Sequence, residues 1–150
     1  QEPDIFHDVF GHVPMLTDPT FADYMQAYGE GGLRALKLGR LHNLARLYWC
    51  TVEFGLLDTP EGLRIYGAGI VSSHGESTYC LEDPRPDRLA FDLMRVMRTP
   101  YRIDAFQKVY FVLPSFRRPL DDTLQDFGQL SQALASLTDL PMRRCPDDPA

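Results

Sequence analysis

Leu41-His42-Asn43-Leu44-Ala45-Arg46-Leu47-Tyr48-Trp49-Cys50-Thr51-Val52-Glu53-Phe54-Gly55-Leu56-Leu57 is the stretch on which the fold turns. Leu41, Leu44, Ala45, Tyr48, Val52 and Leu56 keep a helical stripe. From Leu47 onward the side chains are apolar almost all round, so the spacing predicts a central helix over 41–57. Glu53 stands inside that apolar run. A carboxylate there is costly to bury unless something pairs with it. The nearest cation in sequence is Arg46, seven residues earlier. Two readings follow: a buried Glu53–Arg46 ion pair, or Glu53 as a metal ligand.

Upstream of this helix, Asp18-Pro19 reads as an N-cap followed by proline at the first helical position. Phe21, Tyr24, Met25 and Tyr28 then keep a helical spacing, and Gly29, Gly31 and Gly32 predict a stop and a joint. Downstream, Asp58-Thr59-Pro60-Glu61-Gly62 is a turn. Leu63 to Val71, broken by Gly67 and Gly69, predicts a short bent strand or an extended segment that something approaches closely. Ser73 with Glu76 fits a capping box opening a helix. Asp83 to Asp87 is a loop, and Leu93, Val96 and Met97 mark a helix ending before Thr99-Pro100. Tyr101-Arg102-Ile103 and Val109 to Leu113 are strand candidates. Leu120, Leu124, Phe127, Leu134 and Leu137 suggest a last helix, and residues 141–150 a loose tail. The sum is one domain over 1–150, mainly α with a few short strands.

The whole chain has 150 residues, with 15 Lys+Arg against 21 Asp+Glu, a formal net charge of −6. That balance excludes an electrostatic grip on nucleic acid or on an anionic membrane surface. No apolar run is long enough to span a bilayer. Cys50, Cys80 and Cys145 are odd in number and far apart, which argues against a disulfide framework or a thiolate zinc site and for a reducing compartment, the cytoplasm. The start at Gln1, with no Met and no signal pattern, predicts a partial or trimmed chain. The sequence leaves the oligomeric state open.

His42 falls on a solvated helix face and His74 in a Ser/Gly loop. His7 and His12 are different, because they bracket Asp8-Val9-Phe10-Gly11 as H-x4-H. On an ideal helix residues five apart point about 140° apart, too far for one metal ion. A helix end or bulge near Gly11 and Pro14 would swing His12 back. Two imidazoles and the Glu53 carboxylate suit either iron or zinc. As a facial set they leave positions open for oxygen and substrate, the mark of non-haem Fe(II) oxygenases. As three corners of a tetrahedron they would hold a water for hydrolysis, with Asp8 as the base, although the spacing is not that of HExxH. A helical module with two unrelated histidines is the third reading. Phe6, Phe10, Trp49 and Phe54 cluster near the candidate ligands, as ordinary core or as a pocket for a flat apolar substrate. Ser72, Ser73 and Glu76 offer polar groups to such a ligand's other end.

Taken in order, these motifs resemble the pterin-dependent aromatic amino acid hydroxylases. Pro3-Asp4-Ile5-Phe6-His7-Asp8-Val9-Phe10-Gly11-His12-Val13-Pro14 is similar to the family's iron-binding signature. Leu47 to Leu56 is similar to the segment bringing the third ligand, and Tyr66 to Glu76 to the substrate-pocket stretch. Arg98-Thr99-Pro100-Tyr101-Arg102-Ile103-Asp104 resembles the bacterial phenylalanine 4-hydroxylase branch. The resemblance runs from Gln1 to about Phe116. It implies the C-terminal part of a catalytic domain of that fold, with the N-terminal part absent. It also implies Fe(II), a tetrahydrobiopterin or related tetrahydropterin, O2, and conversion of L-phenylalanine to L-tyrosine. On it, His7, His12 and Glu53 become iron ligands, and Trp49 and Phe54 line the ring pocket. Ser72, Ser73 and Glu76 lie near the amino acid, and Tyr101 near the iron. Asp8 stands at a position near the pterin where many members have Glu. The residue matching Ile103 tends to be acidic in tyrosine-acting members, so an apolar Ile103 favours phenylalanine. The family's main pterin-stacking segment and the arginine for the substrate carboxylate lie upstream of the first motif, and those upstream helices should cover apolar faces of this chain.

Overall fold

The structure, a computed structural model, describes residues 5–123, 127–146 and 148. Helix α1 (Pro19–Lys37) opens on Asp18, whose carboxylate accepts from the Phe21 N–H at 3.0 Å, as the cap reading predicts. It does not stop at the glycines. Phe21, Tyr24, Ala27, Gly31 and Ala35 form one buried stripe across them. Three helical glycines cost about 1 kcal/mol each relative to alanine, and the packing of that stripe outweighs the penalty. Tyr28 fixes the helix further by donating to the Leu44 carbonyl at 3.0 Å.

The central helix is real but shorter than 41–57. Helix α2 (Leu41–Tyr48) passes into a π-helical turn over Trp49–Glu53. Leu56 and Leu57 already belong to strand β1 (Leu56–Thr59), which turns at Pro60-Glu61 into β2 (Gly62–Ile65). An apolar run that serves a buried helix and a buried strand in succession has no period to mark the change. Beyond β2, Ala68–Val71 is one helical turn, α3, not a continued strand. Helix α4 (His74–Glu82) is capped by Ser73, which accepts from the Glu76 N–H. Strand β3 (Asp87–Ala90) begins at the last residue of the expected loop and runs through residues for which the sequence suggested no element. Helix α5 (Leu93–Arg98) ends before Thr99-Pro100, as expected.

Strand β4 (Val109–Leu113) organises the sheet, whose order is β2-β1-β4-β3, with β4 parallel to both neighbours. Its alternation divides the interior. Val109, Phe111 and Leu113 face the larger cluster, which holds Tyr24, Leu44, Leu47, Val52, Val96 and Met97. Tyr110 faces the smaller one with Leu56, Ile70 and Cys80. Tyr101-Arg102-Ile103 is not a strand: the Gln107 amide takes both the Arg102 carbonyl (2.7 Å) and its N–H (3.4 Å), in place of a neighbouring strand. Helices α6 (Arg117–Thr123) and α7 (Phe127–Ala135) stand where one last helix was read. Leu124 lies outside the described residues, as do Pro3 and Asp4 of the first motif. The tail read as loose is tied down where it is described. Arg95 donates to the Pro141 and Arg143 carbonyls, and Arg144 to the Arg88 carbonyl.

No helix among the described residues is long and apolar enough to cross a membrane. The first motif leaves an apolar row in the open: Phe6, Val9, Phe10, Val13 and Leu16 are each about half exposed.

Candidate metal centre

His7–His12 is itself a π-helical turn, followed by a 3-10 turn over Pro14–Thr17. Its closing hydrogen bond runs from the Val13 N–H to the Asp8 carbonyl at 3.0 Å, five residues back. That wider turn brings residues five apart onto one side, which an α-helix cannot do. The bulge expected near Gly11 is therefore present, and it spans the whole motif. Gly11 seats the turn against Ala68; a Cβ there would lie 2.8 Å from the Ala68 Cβ.

The second π turn delivers Glu53. Its Oε1 lies 3.3 Å from His12 Nε2 and its Oε2 lies 3.6 Å from His7 Nε2. The two imidazole nitrogens are 2.9 Å apart. Among the described residues these three form the one group of His, Cys, Asp or Glu side chains close enough to share an ion. Bonds of about 2.0–2.2 Å meeting near a right angle place ligand atoms about 3 Å apart. The residues therefore fit a metal ion, in a facial octahedral set or on three corners of a tetrahedron.

The tautomer of His7 is fixed by its other nitrogen. Ser72 Oγ spends its single proton on the Ala68 carbonyl, at 2.7 Å. At 2.8 Å from His7 Nδ1, that oxygen can only accept. Nδ1 thus carries the hydrogen, and Nε2 turns a lone pair toward His12 and Glu53.

Glu53 is not paired with Arg46. The Arg46 guanidinium grips Asp139 with two hydrogen bonds of 2.6 and 2.8 Å and holds that carboxyl below its usual range. A partner close to Glu53 that the sequence reading missed is Tyr48. Burial first, then the Glu53 charge and a hydrogen bond to it, push the Tyr48 phenol up to about 12, so it remains a donor to the carboxylate. The signal was its spacing of five from Glu53, legible once the turn is known to be π.

The ring cluster begins where the turn begins. Trp49 stacks on Tyr101 with centroids 4.5 Å apart and planes 17° apart, and on Phe54 at 4.8 Å and 29°. Its Nε1–H is buried and finds no hydrogen-bond partner among the described residues. Trp49, Phe54, Glu76, Ile103, Phe106 and Gln107 line a cleft beside this stack. Glu76 is buried at 5% exposure, and its Oε1 accepts from the Tyr110 hydroxyl (2.6 Å) and the Gln107 N–H (3.0 Å). Its carboxylate therefore does not close the reciprocal half of the capping box. Ser73 serves as the cap of α4, and Asp8 is exposed on the first turn. Of the residues singled out by sequence, His7, His12 and Glu53 converge on one point, and Ser72 supports His7 from behind. Trp49, Phe54, Tyr101 and Glu76 gather beside it, and Ser73 and Asp8 join neither group.

The sequence profile of the biopterin-dependent aromatic amino acid hydroxylases matches residues 1–136. The chain is 71% identical over 140 residues to a phenylalanine-4-hydroxylase of Caulobacter vibrioides, covering 93% of this chain and 48% of that protein. It is 64% identical over 137 residues to one of Ralstonia nicotianae, covering 91% and 44%. A crystal structure of phenylalanine hydroxylase from Chromobacterium violaceum bound to cobalt superposes with a TM-score of 0.94 at 58% identity, over 98% of this chain and 53% of that one. The chain thus spans about half the length of the relatives it matches.

Proposed function

This chain belongs to the biopterin-dependent aromatic amino acid hydroxylase family, and from that premise we propose that it forms the metal- and ring-binding half of an iron-dependent phenylalanine 4-monooxygenase. The observation that carries the reading is the meeting of His7, His12 and Glu53, drawn together by two π turns that share no sequence neighbourhood. These residues would hold Fe(II), which with O2 and a tetrahydropterin supplies the oxidising power for L-phenylalanine to become L-tyrosine. The chain's own contribution is binding, orientation and the control of protons.

Ser72 keeps a hydrogen on His7 Nδ1, so in the neutral ring Nε2 is the nitrogen that would hold the metal. Tyr48 donates to Glu53 and turns its carboxylate toward the imidazoles. Trp49, Phe54 and Tyr101 form an aromatic platform for the substrate ring, and Glu76 lines the cleft beside it, where a polar amino acid end would lie. Asp8, open to solvent beside His7, is available to the pterin. The exposed row from Phe6 to Leu16 is the face against which the remaining half of the intact polypeptide packs. The three free thiols support a reducing, cytoplasmic setting. The zinc-hydrolase reading finds no support in the relatives, whose family is that of hydroxylases.

The direct test is product formation. The intact polypeptide, given Fe(II), tetrahydropterin, air and L-phenylalanine, is expected to produce tyrosine, and zinc in place of iron is expected to produce none. Tyrosine no higher than in the pterin-free control rejects the reading. A second expectation concerns the hydrogen bond behind His7. Ser72→Ala leaves Nδ1–H without its acceptor and frees the ring to change tautomer. Loss of such an outer partner typically lowers metal affinity by about 10–100-fold. Anaerobic competition titration with Fe(II) measures the loss; an unchanged affinity would remove the tautomer argument.

A further inference from the structure

Residues 137–146 and 148 lie beyond the family-matched region, which ends at residue 136. They bridge the two elements that bear the stacked Trp49 and Tyr101 rings. On the Trp49 side, Arg46, one turn earlier on the same helix, holds the Asp139 carboxylate at 2.6 and 2.8 Å. On the Tyr101 side, Arg98 donates to the Thr138 carbonyl at 2.8 Å, and its own carbonyl accepts from the Leu140 N–H at 2.8 Å. Arg95 makes the tightest grip. Only 4% exposed, it donates to the carbonyls of Pro141 (3.0 Å) and Arg143 (2.6 Å) and to the Asp148 carboxylate (2.8 Å). Its Nη1 donates to the Thr99 hydroxyl at 2.7 Å, two residues before Tyr101.

Pro141 and Arg143 are the residues flanking Met142. The buried guanidinium therefore fixes the peptide on both sides of that one side chain. Met142 packs half-buried against the main core and lines one narrow crevice with Trp49, Phe54 and Tyr101. A desolvated cation is costly, and here its hydrogen bonds are committed to this segment and to the turn that leads into Tyr101.

We propose that residues 137–146, anchored with Asp148, are a strap that positions the aromatic platform, with Met142 as a positioning residue that backs the Trp49–Tyr101 stack and so sets the depth of the ring pocket. The inference rests on the reading of that stack as the substrate-ring site. A flexible thioether fills an irregular gap and makes favourable contacts with ring edges. Without it, the stacked rings can settle back toward the crevice, and the pocket deepens. Displacements of this small size at a positioning group change rates by large factors, and a deeper pocket admits a larger ring.

The test uses the intact polypeptide loaded with Fe(II). Met142→Ala is expected to raise KM for L-phenylalanine more than it changes kcat. The ratio of kcat/KM for L-tryptophan over L-phenylalanine is expected to rise by about tenfold, the scale of a small volume change in an apolar pocket. Met142→Leu, which restores most of the volume, is expected to return both quantities toward wild type. Asp139→Ala, which cuts the exposed anchor at Arg46, should move the ratio the same way by a smaller factor. The emission difference spectrum of Met142→Ala against wild type reads the Trp49 environment with no substrate present. Unchanged KM, substrate ratio and emission in a folded Met142→Ala protein overturn the strap. A wild type that makes no tyrosine overturns the functional reading and the pocket role with it, and the emission change then still decides whether Met142 backs the stack.

Discussion

Replacing Glu53 by alanine is expected to abolish tyrosine formation and to erase the protein's thermal response to Fe(II), while the metal-free protein stays folded. The reason lies in opposing terms at the same carboxylate. In this structure it is 13% exposed and faces two imidazoles at 3.3 and 3.6 Å. Its removal strands the Tyr48 hydroxyl, at about 1 kcal/mol for a lost hydrogen bond, and relieves a desolvated charge. The two effects offset one another, so the metal-free melting temperature should move little. With metal the balance changes. Two neutral imidazoles remain, and the single anionic ligand is gone. Loss of an outer partner already costs about 10–100-fold in affinity, so a lost direct ligand is expected to cost more than about 100-fold. Binding to the folded state raises stability in proportion to the logarithm of ligand over Kd. Wild type should therefore melt higher with Fe(II) under anaerobic conditions and Glu53→Ala should not. Glu53→Gln keeps the shape and the hydrogen bond to Tyr48 but removes the charge, and should resemble alanine in metal response. A Glu53→Ala protein that still binds iron stoichiometrically would remove Glu53 from the centre.

What the sequence disclosed about this centre, and what it withheld, follows from one physical fact. Side chains advertise periodicity, and backbone hydrogen-bond shifts do not. His7 and His12 at a spacing of five argued against a regular helix, and the need for a bulge was legible. The extent of the π turn was not, because nothing in Phe10-Gly11 distinguishes one widened turn from a helix end. The same shift hid Tyr48 as a partner of Glu53. Glu53 itself was conspicuous as a charge in an apolar run, yet the cation read beside it, Arg46, serves Asp139, from a tail with no apolar pattern to signal that it docks. Mainly α content with a few short strands was readable from stripes, caps and turns. Strand β3 was not, since Asp87-Arg88-Leu89-Ala90 is too short and too polar to declare itself before β4 pairs with it.

Gly67→Ala is expected to destabilise the protein by about 2–4 kcal/mol, within the range for overpacking at a site that cannot relax, and to weaken Fe(II) binding along with it. The backbone angles at Gly67 are φ −60° and ψ 127°, open to any residue, so the demand for glycine is one of space. A Cβ at this position would sit 2.4 Å from the Glu53 carbonyl oxygen, 2.6 Å from the Gly55 nitrogen and 2.7 Å from the Glu53 carbonyl carbon. All three are main-chain atoms, and no rotamer change can clear them. The Gly67 N–H donates to the Gly55 carbonyl at 3.1 Å, which holds the two segments at that separation. To admit a methyl group, the chain carrying Glu53 must move by a distance that matters to a ligand. Gly29→Ala is the matched control. It lies inside α1, where an added Cβ meets nothing within 4 Å. There the same substitution removes only the entropic penalty of a helical glycine, so it should stabilise by about 0.5–1 kcal/mol. For a chain of this size, each kcal/mol moves the melting temperature by about 2–4 °C. Thermal melts should therefore shift in opposite directions for the two variants, and Fe(II) titration should separate them again, since only Gly67 touches the ligand-bearing turn. A Gly67→Ala protein with wild-type melting temperature and iron affinity would mean that the close approach between β2's exit and the Glu53 turn does not hold the ligand in place.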